Sequence, residues 1–171
     1  MEHREGLDKI LTYRASTSAG TRRLRDTQRR WPCEEGAALD TKLKILISDD
    51  SKLLRKQLRD VLERLGCSVI EAEDGKEAVI ESLKEKPDGV ILDIVMPEVD
   101  GIEALRVIKE VDKNIPVIML SSVGTPERLL ETLKMGALDF IQKPYTEEQI
   151  SKAVARIRRK VSAQKGSDHE E

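Results

Sequence analysis

The chain has 171 residues, with 30 Lys and Arg against 32 Asp and Glu and a net charge of −2, which fits one domain with extensions and gives no global reason to expect nucleic-acid binding. No run approaches the roughly 20 apolar residues of a membrane span, and the N-terminus lacks the apolar stretch of a secretion signal. Cys33 and Cys67 have no metal-ligand spacing, so a cytoplasmic protein with ordinary thiols is expected.

Residues 1–41 show little apolar periodicity, and RASTSAGTRRLRDTQRR (14–30) sets six arginines against a single acid. A flexible Arg-rich arm is expected there, with contact to nucleic acid or an acidic partner as the alternative. The folded domain is placed at 42–162, and the polar tail AQKGSDHEE (163–171) is expected to fray.

Between the ends, five short apolar runs alternate with segments of helical spacing. KILIS (44–48) precedes Leu54, Leu58, Val61, Leu62 and Leu65; SVIEA (68–72) precedes Ala78, Val79, Ser82 and Leu83. DGVILD (88–93) precedes Ile102, Leu105 and Ile108, and PVIMLS (116–121) precedes Leu129, Leu130 and Leu133. DFIQK (139–143) precedes Ile150, Val154, Ile157 and Val161. The spacing predicts five strand–helix units. The third and fourth runs are almost continuously apolar, the pattern of parallel strands covered on both faces. The expected fold is therefore α/β, a doubly wound five-stranded parallel sheet with right-handed connections and helices on both faces.

Such sheets bind ligands outside the carboxyl ends of their strands. Asp49 and Asp50 end the first strand, Asp93 the third, Ser121 and Ser122 the fourth, and Lys143-Pro144 the fifth. Two carboxylates about 4 Å apart repel by about 4 kcal/mol at an effective dielectric near 20, so a cation is required. A helix N-terminal acid pair would account for Asp49 and Asp50 alone. Three carboxylates without His or Cys favour Mg²⁺ over zinc, and the Lys143 ammonium suits a phosphoryl group. Pro97 and Gly101 read as turn punctuation before the third helix.

These residues carry a resemblance. Residues 43–160 resemble the receiver domain of bacterial two-component response regulators, through the acid pair Asp49-Asp50, DIVMPEVDG (93–101), Ser121 and Lys143-Pro144. With no output domain in view, the chain resembles the stand-alone chemotaxis-type receivers. The resemblance implies a flavodoxin-like strand order 2-1-3-4-5 and a signalling module rather than an enzyme. By resemblance, Asp93 is the phosphoacceptor; Asp50, Asp93 and the Val95 carbonyl bind Mg²⁺, and Asp49 acts largely through water. Ser121 hydrogen-bonds the phosphoryl group and Lys143 pairs with it. Phe140 is the aromatic that switches with Ser121, and Lys143-Pro144 is a cis peptide.

The only histidines are His3 and His169, so the phosphodonor lies elsewhere: by resemblance a sensor histidine kinase, or a small acyl phosphate. The implied readout is a protein target on the face of the fourth helix, fifth strand and fifth helix (roughly 126–160), with a partner phosphatase setting the signal's lifetime. The basic RIRRKV (156–161) ending the fifth helix complements the helix dipole or docks an acidic partner. Ser121 stands where many relatives carry Thr, Ser122 where a small apolar residue is common, and Phe140 where Tyr is frequent. Val95 and Val123, each two residues beyond a site residue, cannot orient an attacking water by hydrogen bonding, which predicts slow self-hydrolysis. Two other functions fit less well. A phosphatase of the haloacid dehalogenase type needs an acid two residues after its nucleophile, where Val95 stands, and a flavin carrier needs a phosphate-welcoming loop where Asp49 and Asp50 would repel one.

Overall fold

The computed structural model describes residues 42–167, and five β–α units follow one another along it. These are β1 (Lys44–Ser48), α1 (Lys52–Arg64), β2 (Ser68–Ala72), α2 (Gly75–Glu85), β3 (Gly89–Asp93), α3 (Gly101–Val111), β4 (Val117–Ser121), α4 (Pro126–Lys134), β5 (Asp139–Gln142) and α5 (Glu147–Ser167). The Arg-rich arm at 1–41, with Tyr13, Trp31, Cys33 and His3, lies outside the described residues, as does His169. Cys67 is a buried free thiol. No described helix is long and apolar enough to cross a membrane.

All strand pairings are parallel, and the sheet order is β2-β1-β3-β4-β5. Every residue of β3 and β4 is buried, because their alternate side chains feed two cores. One core joins Ile45, Ile47, Ile91, Ile118 and Leu120 to Leu58 and Leu62 of α1 and Ile150, Val154 and Ile157 of α5. The other joins Leu46, Val90, Leu92 and Met119 to Ala78 and Val79 of α2 and Ala104, Leu105 and Ile108 of α3. Ser51, Asp74, Asp100 and Thr125 cap the first four helices, each side chain accepting from the backbone N–H three residues on. Each cap is worth about 1 kcal/mol. The caps start these four helices at the carboxyl edge of the sheet.

Two expectations are corrected. Leu130 and Leu133 do not line the α4 core face; they are 55% and 41% exposed. The buried stripe of α4 runs instead through half-buried Leu129, buried Thr132 and half-buried Met135. Three leucines gave the apolar pattern, but the small Thr132, its hydroxyl donating to the Leu129 carbonyl at 3.0 Å, sets the face. The segment from 163 begins as helix rather than frayed coil, since α5 runs to Ser167. Gln164 anchors it by donating its side-chain amide to the Asn114 carbonyl at 2.6 Å.

Candidate functional site

The β1 ladder loosens as it reaches its acids: the Asp49 N–H reaches the Ala72 carbonyl only at 3.4 Å. Asp49 is buried and its carboxylate fully engaged, one oxygen accepting from the Ser51 N–H at 2.8 Å and the other from the Lys143 ammonium at 2.6 Å. Asp50 is exposed, and its carboxylate has no hydrogen-bond or ion-pair partner among the described residues. Asp93, buried at the end of β3, meets Lys143 Nζ at 3.1 Å and accepts from the Val95 N–H at 3.4 Å. One ammonium thus bridges two buried carboxylates contributed by separate strands.

Lys143 reaches this point because its own N–H extends the β4–β5 pairing, donating to the Ser121 carbonyl at 2.8 Å. The Lys143-Pro144 peptide is cis. Burial lifts the Asp93 carboxyl above the usual carboxylate range, an effect that Lys143 opposes and Asp49 reinforces. Burial works against the Lys143 ammonium, yet Asp49 and Asp93 outweigh it and hold its pKa above the ordinary lysine value. The pocket raises the proton affinity of both Asp93 and Lys143, the balance of a site short of positive charge.

Ser121 is fully buried, and its hydroxyl is turned to its own loop, donating to the Val123 carbonyl at 2.9 Å and accepting from the Val123 N–H at 3.0 Å. Phe140 is half-buried against the second core. Val95 and Val123 are 49% and 50% exposed.

Two residues carry more than their sequence reading gave them. Gly101 is not turn punctuation alone, because a Cβ there would lie 2.0 Å from the Asp93 carbonyl oxygen. Only glycine lets α3 start against the backbone that carries Asp93. Arg55 was missed altogether. It is buried on α1, with its guanidinium donating to the Asp49 carbonyl at 2.7 Å and to Glu73 at 2.7 Å. The signal was present: Arg55 falls three and seven residues before Leu58 and Leu62, on the buried stripe of the helix.

Asp49, Asp50 and Asp93 each place a carboxylate oxygen so that the three atoms lie within 4.8 Å of one another. An all-oxygen donor set, including a carboxylate with no partner among the described residues, fits a hard divalent cation. A doubly wound sheet with a lysine-bridged carboxylate and a hard-cation cluster on its carboxyl edge defines a Mg²⁺-dependent phosphoacceptor module. The comparisons agree with it. Residues 45–155 match the response regulator receiver domain family, and the chain belongs to that family. It is 39% identical over 112 residues to the chemotaxis protein CheY of Bacillus subtilis, covering 65% of this chain and 93% of that one. CheY of Thermotoga maritima is 37% identical, with 67% and 96% covered. Among solved structures, the CheX–CheY–BeF₃–Mg²⁺ complex from Borrelia burgdorferi matches at 39% identity and a TM-score of 0.65, covering 67% of this chain and 88% of that one. The receiver is of the chemotaxis type and its cofactor is Mg²⁺.

Proposed function

We propose that Asp93 takes a phosphoryl group from a sensor histidine kinase and that the resulting dianion changes the face formed by α4, β5 and α5. The bridging of Asp49 and Asp93 by Lys143 carries the reading, because an ammonium already shared by two carboxylates is placed to move onto a phosphoryl oxygen as Asp93 becomes an acyl phosphate. A carboxylate oxygen of Asp93 attacks phosphorus; the bond from phosphorus to the donor imidazole breaks, and its electron pair leaves on that nitrogen. Such a loose, in-line transfer needs positioning and charge neutralisation above all. Asp50, Asp93 and the Val95 carbonyl would hold Mg²⁺, with Asp49 contributing through water. Bound Mg²⁺ supplies charge neutralisation for the phosphoryl oxygens. The chain is an acceptor rather than a turnover enzyme, and it works in the cytoplasm.

Ser121 completes the site by exchanging its Val123 contacts for a phosphoryl oxygen, which draws the 121–127 loop inward. Phe140 follows by repacking, having no ring hydroxyl to anchor it. Leu130, Leu133 and Val123 are exposed on or beside α4, which supports that face as the contact for a protein target. The modification acts only through its differential interaction with the two states of the loop. A partner phosphatase ends the signal, since Val95 and Val123 offer an attacking water no hydrogen bond.

Incubation with acetyl phosphate and Mg²⁺, followed by intact-mass measurement, tests the assignment. One added phosphoryl group is expected in the unmodified protein, and none in Asp93→Ala or without Mg²⁺. Equal labelling of Asp93→Ala would overturn it.

A further inference from the structure

The Asp50 carboxylate lies close to two other acids with no hydrogen bond or ion pair of its own among the described residues. Repulsion drives it away, so the backbone must hold it. The peptide group joining Asp49 to Asp50 is planar, and its carbonyl has left the β ladder. That carbonyl accepts from Arg55 Nη1 at 2.7 Å, inside the protein. Arg55 is in turn fixed at its other end, with Nη2 donating to Glu73 at 2.7 Å and Nε to Glu71 at 3.4 Å, while Glu71 also pairs with Arg59. The Arg55 side chain is 5% exposed, and its planar fork spans a carbonyl and two carboxylates, a spread that the compact ammonium of a lysine does not match.

We propose that Arg55 is a positioning residue for the metal site: by clamping the Asp49–Asp50 peptide it holds the Asp50 carboxylate beside the other two acids of the cluster. It touches neither the metal nor the phosphoryl group. The inference rests on the acid cluster being the Mg²⁺ site. Its charge makes the role testable by sign. A cation beside a dication site weakens binding by repulsion, so if Arg55 acted through charge alone, deleting it would tighten Mg²⁺. If it acts by holding the peptide, deleting it weakens Mg²⁺ despite the relief of repulsion. Glu71 and Glu73 confine the charge and leave the geometric effect dominant.

Mg²⁺ affinity of the full chain is measured by titration calorimetry, and Mn²⁺ affinity by electron paramagnetic resonance, neither of which requires phosphorylation. Arg55→Met is expected to weaken both by about tenfold or more, the usual scale for a group that orients a ligand. Arg55→Lys keeps the charge and the fold while losing the fork, and is expected to fall between Arg55→Met and the unmodified protein; it carries the test should Arg55→Met fail to fold. Unchanged or tighter binding in Arg55→Met, or unaltered affinity in Arg55→Lys, overturns the inference and leaves the metal site standing. Failure of the unmodified protein to bind either ion overturns the metal site itself.

Discussion

Replacing Lys143 with Met removes the ammonium that lies 2.6 Å from Asp49 and 3.1 Å from Asp93. At an effective dielectric near 20, those contacts are worth about 6 and about 5 kcal/mol of Coulomb attraction. Acid oxygens that lie within 4.8 Å of one another repel by about 3.5 kcal/mol or more per pair on the same scale. Lysine attraction and mutual acid repulsion are therefore of one size, before the cost of desolvating each charge. Without the lysine, crowding is relieved by protonating an acid, and burial already pushes the Asp93 pKa up in that direction. That escape limits the loss to the roughly 3–5 kcal/mol typical of a broken buried pair. Urea unfolding at neutral pH measures it. Adding Asp93→Asn to Lys143→Met is expected to restore about 1–3 kcal/mol, the coupling of groups in one charge network. Saturating MgCl₂ is expected to stabilise Lys143→Met more than the unmodified protein, since a dication replaces the missing charge. An Asp93→Asn effect that is identical with and without Lys143 would refute the bridging role.

Asp93→Asn alone is expected to stabilise the protein at neutral pH. The raised pKa means that the folded state holds the Asp93 proton more tightly than the unfolded chain, so ionised Asp93 costs stability; the gain is full above the raised folded-state pKa, fades as pH falls through it, and is gone below about 4, where both states are protonated. Denaturant titrations across that range would show a constant difference if burial were not the cause. Val95→Asn is expected to speed loss of the phosphoryl group by about fivefold, roughly the worth of one hydrogen bond to the attacking water. Time-resolved intact mass reads the decay, and an unchanged rate refutes the idea. Gly101→Ala places a methyl group 2.0 Å from the Asp93 carbonyl oxygen and 2.9 Å from the Ile94 Cα. Only backbone can yield there, so a loss of about 1–3 kcal/mol or more and slower phosphoryl uptake are expected. Leu130→Lys with Leu133→Lys is expected to stay within about 0.5 kcal/mol in stability, because both are exposed, while binding of a target at α4 is lost.

The strands were legible because burial on both faces leaves an unbroken apolar run, as in Val90–Leu92 and Val117–Leu120. The fourth helix was harder. Its leucines supply the expected spacing, yet one buried Thr132 shifts the face toward the sheet, and no hydropathy pattern marks a threonine as core. Gly101 reads in sequence like any helix-starting glycine; that it faces the Asp93 backbone depends on how α3 returns to β3, a long-range fact. The sequence also places Ser121 at the site without stating where its hydroxyl points, which is toward Val123. Arg55 was the avoidable omission, since a charge on the stripe of Leu58 and Leu62 had to find partners inside.

The three acids at the sheet edge are answered in three different ways. Asp49 is saturated by Lys143, the Ser51 N–H and, through its backbone, Arg55. Asp93 shares Lys143 but keeps a raised proton affinity, so its charge is only partly compensated. Asp50 has no partner of its own among the described residues and is exposed. The positive charge this edge lacks is therefore wanted beside Asp50 and Asp93, the second of which is the proposed phosphoacceptor. A site with every carboxylate equally paired would leave no acid free to receive a metal and no nucleophile free to react. Unequal pairing leaves one fixed acid to anchor the lysine, one acid without a partner among the described residues to receive a cation, and one partly compensated acid as the proposed phosphoacceptor.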